Sequence, residues 1–283
     1  MNNLRIGVPS KGRLADQAAE LLGQAGLKFR RQDRSLFARV SELPVDVTFL
    51  RADDIPVLCA EGAIDMGITG SDLLDEAGVD LTTRLALGIG KCRLSVCVPE
   101  DSAVQSPADL DGCRVATSFS HVTERFFHKH QSNVHLVPLS GSVEIMISLG
   151  VAEGIVDLVE TGSTLAANRL RILTDIGHYE TVLVQNRGTR HVETADRIVR
   201  RLEGVVIARA WSLLEYNIPK TKLAEAEQIT PGFNSPTVNA LEDNDWCAVQ
   251  VMVKRKQVIE AMDRLEAIGA TAILETEIKN CRL

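Results

Sequence analysis

Ile155-Val-Asp-Leu-Val-Glu-Thr-Gly-Ser-Thr-Leu-Ala-Ala-Asn-Arg-Leu170 passes from β-branched apolar residues, through an acid, into a Thr-Gly-Ser-Thr turn and then a helical pattern. Its reading predicts a buried strand over Ile155 to Val159, a turn over Thr161 to Thr164, and a helix over Leu165 to Leu170. Free backbone N–H groups, the hydroxyls of Thr161, Ser163 and Thr164, and the positive end of the helix would converge on one point, which suits a phosphate monoester. Gly162 lets the backbone approach closely. The same residues would equally serve as a capped helix start, with Ser or Thr accepting from orphan N–H groups. What favours a ligand is Asp157 near the strand's end, with Glu144 on the preceding helical stretch. A carboxylate beside a phosphate cradle is costly unless it accepts hydrogen bonds from sugar hydroxyls or meets a metal ion.

Outward from this stretch, short apolar strands alternate with helical patterns, the rhythm of sheets covered by helices. Strands are expected at Leu4 to Val8, Val45 to Leu50, Ile64 to Thr69, Leu94 to Val98, Arg114 to Ala116, Val134 to Leu139 and Thr181 to Gln185. Helices are expected at Leu14 to Ala25, Asp53 to Ala60, His121 to Lys129 and Ser142 to Leu149. A boundary falls at Leu87-Gly-Ile-Gly-Lys-Cys92, and the strand at 179–186 could return the chain to the first domain. Two α/β lobes joined by crossing strands would leave a cleft between them, the usual place for a small ligand. A long helix over Val192 to Ala210 then leads into a β-α-β-β-α-β order, the ferredoxin-like arrangement. The expected division is 1–91 with 179–210 as lobe I, 92–178 as lobe II, and 211–283 as a third, α+β domain.

Pro9-Ser-Lys-Gly-Arg-Leu14 places two cations around a glycine at a strand's carboxyl end, where open α/β sheets hold ligands. Glu61-Gly-Ala-Ile-Asp-Met-Gly-Ile-Thr-Gly-Ser-Asp72 is another strand entering a helix start, and Arg51 adds a cation on the same rim. Each also reads as a solvated turn or a cap. Ser and His residues form no triad pattern, and neither a Gly-x-Ser-x-Gly elbow nor a Walker loop occurs. Chemistry by positioning and charge neutralisation is therefore expected over covalent catalysis.

The 283 residues are enough for two or three cores. With 31 Lys and Arg against 38 Asp and Glu, the net charge of -7 argues against nucleic-acid binding. Six scattered cysteines suggest neither disulfides nor a zinc site, and His128-x-His130 reads as a solvated face. No apolar run is long enough for a membrane span and no export signal opens the chain, so a cytoplasmic protein is expected.

Together these motifs resemble the ATP phosphoribosyltransferase family, which begins histidine biosynthesis. The resemblance rests on Glu144, Gly150, Ala152, Ile155, Asp157, Thr161, Gly162, Thr164 and Leu165 in unbroken order. Lys11-Gly12-Arg13-Leu14 and Asp65-x-Gly-Ile-Thr-Gly-x-Asp72 resemble further family blocks. Thr230-Pro-Gly-Phe-Asn-Ser-Pro-Thr237 and Ile268-Gly-Ala-Thr-Ala-Ile-Leu274 are similar to the regulatory domain of its long form. The resemblance implies two lobes of the periplasmic-binding-protein type II fold and a histidine-binding third domain. It implies condensation of ATP with 5-phosphoribosyl 1-diphosphate to N1-(5-phosphoribosyl)-ATP and diphosphate. Carried over residue by residue, Glu144 and Asp157 would hold the ribose hydroxyls, and Thr161, Gly162, Ser163, Thr164 and Leu165 the 5-phosphate. Lys11, Arg13, Arg51 and Asp72 would line the nucleotide and diphosphate side. Mg2+ would be held mainly by substrate phosphates, without dedicated protein ligands. Histidine would inhibit through Ser235, Thr237, Ala270 and Ala272, in a dimer-to-hexamer assembly that needs no separate regulatory subunit. A solute-binding protein of the same two-lobed shape is the rival; an effector sensor would need a DNA-binding module that the sequence lacks.

Overall fold

The computed structural model describes residues 3–32 and 35–282. Lobe I opens with β1 (Leu4–Pro9), α1 (Arg13–Gln24), β2 (Phe37–Arg39) and β3 (Val45–Leu50). It continues through α2 (Ile55–Ala60), β4 (Met66–Gly70), α3 (Ser71–Ala77) and β5 (Thr82–Ala86). The chain crosses into lobe II as β6 (Cys92–Pro99), followed by β7 (Arg114–Thr117), α4 (Ser120–Lys129) and β8 (His135–Pro138). There α5 (Ile145–Ser148), β9 (Gly154–Val159), α6 (Ser163–Ala167) and β10 (Leu170–Tyr179) complete the lobe. It then returns as β11 (Thr181–Gln185) and α7 (Val192–Ala210).

Both lobes are wound in the same way. Lobe I has the strand order β2-β3-β1-β4-β11-β5, and lobe II has β10-β6-β9-β7-β8. In each, parallel strands form one side of the sheet: β3, β1 and β4 in lobe I, and β8, β7 and β9 in lobe II. In each, the strand arriving from the other lobe is wedged antiparallel between two neighbours, β11 between β4 and β5, and β6 between β9 and β10. This exchange makes each sheet depend on a strand delivered by the crossover, and it is the two-lobed periplasmic-binding-protein type II arrangement.

The parallel strands β1, β3, β4, β7 and β9 are largely buried apolar runs, as strands covered on both faces must be, whereas β8, at the sheet edge, is half-exposed. Two corrections to the sequence reading fall here. The segment read as helix to Leu170 ends at Ala167, and Leu170 begins the ten-residue strand β10. The helical pattern over Ser142 to Leu149 yields only Ile145–Ser148, because Gly141 and Ser142 take positive φ values of 152° and 51°.

The C-terminal region comprises β12 (Trp211–Pro219), α8 (Leu223–Ile229), β13 (Thr237–Ala240), β14 (Trp246–Lys254), α9 (Val258–Ala267) and β15 (Thr271–Glu277). Its antiparallel sheet has the order β13-β14-β12-β15, the ferredoxin-like pattern. In β12 and β14, buried and half-buried residues alternate strictly. The inward set, Leu214, Tyr216, Ile218, Cys247, Val249 and Val251, packs with Val258, Ala261 and Leu265 of α9. By packing, the chain forms two compact units: Met1–Glu20 with Lys28–Ala195, which holds both lobes, and Leu21–Leu27 with Asp196–Leu283. No helix among the described residues is long and apolar enough to cross a membrane.

Candidate functional site

The carboxyl ends of the parallel strands carry the candidate site residues, as the ligand rule for open α/β sheets leads one to expect. β9 has Ile155, Asp157 and Val159 on one face, because strand side chains alternate with period two. Ile155 and Val159 are buried with Val143, Ala152, Leu165 and Leu170. Asp157 is thereby drawn into a half-buried position beside an apolar cluster. Burial pushes its carboxyl up from the ordinary range, the Leu158 N–H at 2.8 Å partly opposes this, and the neighbouring charge of Glu144 raises it further. Glu144 itself stands at the N-cap of α5 without capping that helix. The two acids, thirteen residues apart in sequence, thus act on one another electrostatically.

The turn after β9 takes its shape from Gly162, whose φ of +83° is the left-handed conformation that side chains resist. A Cβ there would meet nothing within 4 Å, so the glycine is required for its backbone angle and for whatever approaches from outside. Thr161 Oγ1 lies 3.1 Å from Ser163 Oγ, which gathers two hydroxyls on the exposed side of the turn. Thr164 is exposed as well, whereas the Leu165 side chain is buried at 7% exposure and anchors the turn to the lobe II core. Only the backbone N–H of Leu165 is then free to face a ligand. The helix behind the turn is five residues long, so its dipole is weaker than the sequence reading expected, and the donors are individual N–H groups and hydroxyls.

On lobe I, Lys11 and Arg51 line one cavity of about 400 Å³ with Ser10, Leu50, Ala52 and Asp53. Arg51 Nε lies 3.7 Å from Asp53, both well exposed. Arg13 does not line that cavity and pairs with Glu160, the residue before the Thr161–Leu165 turn of lobe II, which links the two lobes at this point. Asp72 is apart from all three. It is only 7% exposed, in the first turn of α3, and its carboxylate folds back over Gly70 so closely that a Cβ there would lie 2.0 Å from Oδ1. Burial holds its carboxyl above the usual range, partly offset by the N–H groups of Asp72 and Leu73. The charge of Asp72 reaches Cys92 and Tyr179, the ends of the two crossing strands, so Asp72 sits at the base of the lobe junction.

The third domain separates the remaining four candidates. Ala272 lines a cavity of about 330 Å³ with Glu215, Asn217, Asn239 and Gln250, on the sheet face away from α9. Thr237 is the strand partner of Gln250, and Ser235 lies exposed in the loop before it. Ala270 is buried in the domain core and does not reach that cavity. Among the described residues no group of three His, Cys, Asp or Glu side chains is placed to hold a metal ion. His128 and His130 are exposed on α4.

Residues that sequence reasoning passed over also stand at this junction. Asp75 accepts hydrogen bonds from Arg125 and Tyr179, and Glu76 accepts from the first N–H groups of α4. Their partners lie 45 to 104 residues away, and only an acid pair following an apolar helix start marked them.

The ATP phosphoribosyltransferase family model matches residues 51–204, and the model for that family's C-terminal domain matches 208–280. An ATP phosphoribosyltransferase from Rhodopirellula baltica is 66% identical over 280 residues, covering 99% of this chain and 94% of the relative. One from Saccharopolyspora erythraea is 40% identical over 281 residues, covering 99% of this chain and all of the relative. Among solved structures, the ATP phosphoribosyl transferase (HisG:HisZ) complex from Thermotoga maritima matches with a TM-score of 0.64 and 27% identity. The match covers 72% of this chain and 97% of that one.

Proposed function

The chain belongs to the ATP phosphoribosyltransferase family and is a pentosyltransferase of histidine biosynthesis, and from that premise we propose the reaction and the role of each site residue. ATP and 5-phosphoribosyl 1-diphosphate condense to N1-(5-phosphoribosyl)-ATP and diphosphate. The observation that carries this reading is the half-buried Asp157 of β9 leading into the left-handed Gly162 turn, faced across the lobes by Arg13 through its contact with Glu160.

Adenine N1 is a weak nucleophile, so the ribose C1 must become cation-like as its bond to diphosphate breaks and the electron pair leaves with the diphosphate. The rate then depends on holding N1 and C1 in line and on stabilising the departing charge. Asp157 and Glu144 would accept hydrogen bonds from the ribose hydroxyls, which relieves the repulsion between the two acids. Thr161, Ser163 and Thr164, with the N–H groups of Gly162 and Leu165, would hold the 5-phosphate. Lys11, Arg13 and Arg51 would receive the diphosphate and the nucleotide phosphates from lobe I, and Asp72 would border the nucleotide from the lobe junction. A Mg2+ ion would be held chiefly by diphosphate oxygens and water, and would supply positive charge to the leaving group.

The domain division of 1–91 with 179–210, 92–178, and 211–283 assigns catalysis to the two lobes and regulation to the ferredoxin-like part. Histidine binding near Ser235, Thr237 and Ala272 would lower activity by favouring one global state of a dimer or hexamer. The backbone of Ala270 would support that site from inside the core. A cytoplasmic enzyme without a separate regulatory subunit follows from the same reading.

Protein mixed with ATP, 5-phosphoribosyl 1-diphosphate, Mg2+ and pyrophosphatase should develop the ultraviolet absorbance of N1-substituted adenine. No adduct under these conditions would end the enzymatic reading. Full activity at millimolar histidine would remove the regulatory one.

A further inference from the structure

The two lobes are joined by more than their crossing strands. α4 begins after Phe119, a residue whose side chain has no acceptor and makes no capping bond. The first N–H groups of a helix need acceptors, and here they find them in the other lobe. The N–H groups of His121 and Val122 donate to the two oxygens of Glu76, at 2.9 and 3.0 Å, so a carboxylate of α3 caps α4. One turn further along α4, Arg125 Nη2 lies 2.6 and 2.7 Å from the two oxygens of Asp75. Tyr179, at the end of β10 where the chain leaves lobe II, donates its hydroxyl to the same carboxylate at 3.0 Å. Beside them Leu73 of α3 packs against the lobe II cluster that contains Phe119 and Val122. Consecutive acids of one helix therefore grip two turns of a helix in the other lobe and the strand end at the crossover.

Opening or twisting the lobes at this seam would uncap α4, separate a charged pair and leave the Tyr179 hydroxyl without its acceptor. From this geometry we infer that Asp75 and Glu76 are positioning residues. They touch no reacting atom, but they fix the angle between the lobe that holds the ribose phosphate and the lobe that holds the nucleotide. This inference rests on the proposed reaction, because alignment matters only if the ribose phosphate and the nucleotide are held by different lobes. Its signature follows. The lobe II site, formed by Glu144, Asp157 and the Thr161–Leu165 turn, is complete without α3, so binding of ribose 5-phosphate, which lacks the diphosphate, should survive loss of the seam. Turnover, which needs both lobes in register, should not survive it.

The test is the isosteric double variant Asp75→Asn with Glu76→Gln. Its kcat is expected to fall by about tenfold or more, since small misplacements of aligned reactants are costly. Its dissociation constant for ribose 5-phosphate, measured without ATP, should stay within about twofold of the parent value. Exchanging the charges by Asp75→Arg with Arg125→Asp should recover kcat relative to Asp75→Arg alone. A distance between spectroscopic labels carried by unnatural amino acids at exposed Glu61 and Lys129, one on each lobe, should shift or broaden in the double variant. An unchanged kcat, parallel loss of binding and turnover, or an unchanged label distance would each overturn the inference. If the parent protein forms no adduct, the reaction proposed above fails, and the label distance alone decides whether Asp75 and Glu76 set the lobe angle.

Discussion

Asp157→Asn should move activity and stability in opposite directions. The substitution keeps the size of the side chain and removes its charge where two ribose hydroxyls are proposed to donate. Hydrogen bonds to a charged group are worth about 1.5–3 kcal/mol each, so two of them set an upper limit of about 6 kcal/mol. Asn retains one carbonyl acceptor, and its neutrality removes the repulsion from Glu144, so a loss of about 2–4 kcal/mol is expected. That corresponds to a fall of about 30- to 1,000-fold in kcat/KM. The stability effect has the other sign. Burial, and then Glu144, hold the Asp157 carboxyl above its unfolded value, so the folded state binds the proton more tightly than the unfolded one. Ionised Asp157 therefore subtracts stability as pH rises above the unfolded carboxylate pKa of about 3.9, and the penalty is complete above the folded value. Asn carries no such penalty, so the Tm at pH 8 should hold or rise. Adduct absorbance gives kcat/KM and thermal unfolding gives Tm. A fall of less than about fivefold in kcat/KM would refute the assignment to ribose. So would a drop of more than about 4 °C in Tm, which would mean that the side chain is structural.

Three further outcomes follow from single residues. Gly162→Ala places a Cβ at φ +83°, which should cost about 1 kcal/mol of stability and raise the KM for 5-phosphoribosyl 1-diphosphate; identical Tm and KM would show that the turn angle is not required. Asp72→Asn should stabilise the protein more at pH 8 than at pH 4, because burial raises that carboxyl in the folded state; urea melts at the two pH values showing equal shifts would contradict the burial argument. Ser212→Ala removes a fully buried hydroxyl that has no partner among the described residues, so stability should be unchanged or higher by up to about 2 kcal/mol, and a clear loss in denaturant melts would reveal a hidden partner.

Elements with a clean local signal were legible in the amino-acid order. Val45–Leu50 and Thr181–Gln185 are buried apolar runs, and Val192–Ala210 is a long amphipathic helix; all three form with the limits that their patterns suggest. β10 was not legible, because register shifts between Ile172 and Thr174 and between Asp175 and Gly177 break the alternation that betrays a strand. β5, Thr-Thr-Arg-Leu-Ala, is half-exposed at a sheet edge and carries no apolar face to read. The turn at Gly162, proposed to hold a phosphate, could be read because its residues are contiguous. The seam between the lobes could not, since Glu76 caps a helix 45 residues away, and nothing near Asp75 distinguishes it from a solvated acid. The burial of Asp72 was hidden for a similar reason: a polar residue in a helix's first turn usually faces water, and here it is buried.

The contrast between the two interlobe ion pairs bears on how a chain of net charge -7 would admit two polyanions. Asp75 and Arg125 are held by a third partner, Tyr179, beside packed apolar side chains, so separating them breaks several contacts together. Arg13 and Glu160 are 64% and 47% exposed, and an exposed pair of this kind is worth about 0–1 kcal/mol. A diphosphate oxygen carries more charge than a carboxylate oxygen and would displace Glu160 from Arg13 at little cost. Glu160 lies in sequence between Asp157 and Thr161, at the edge of the proposed ribose-phosphate site. In the proposed reaction it would keep the Arg13 guanidinium turned toward that site before substrate arrives, and the cation would meet the leaving group after the exchange. The seam would then hold the lobes while the weaker pair yields, and a negative protein would need only a few pre-aimed cations to receive an anion.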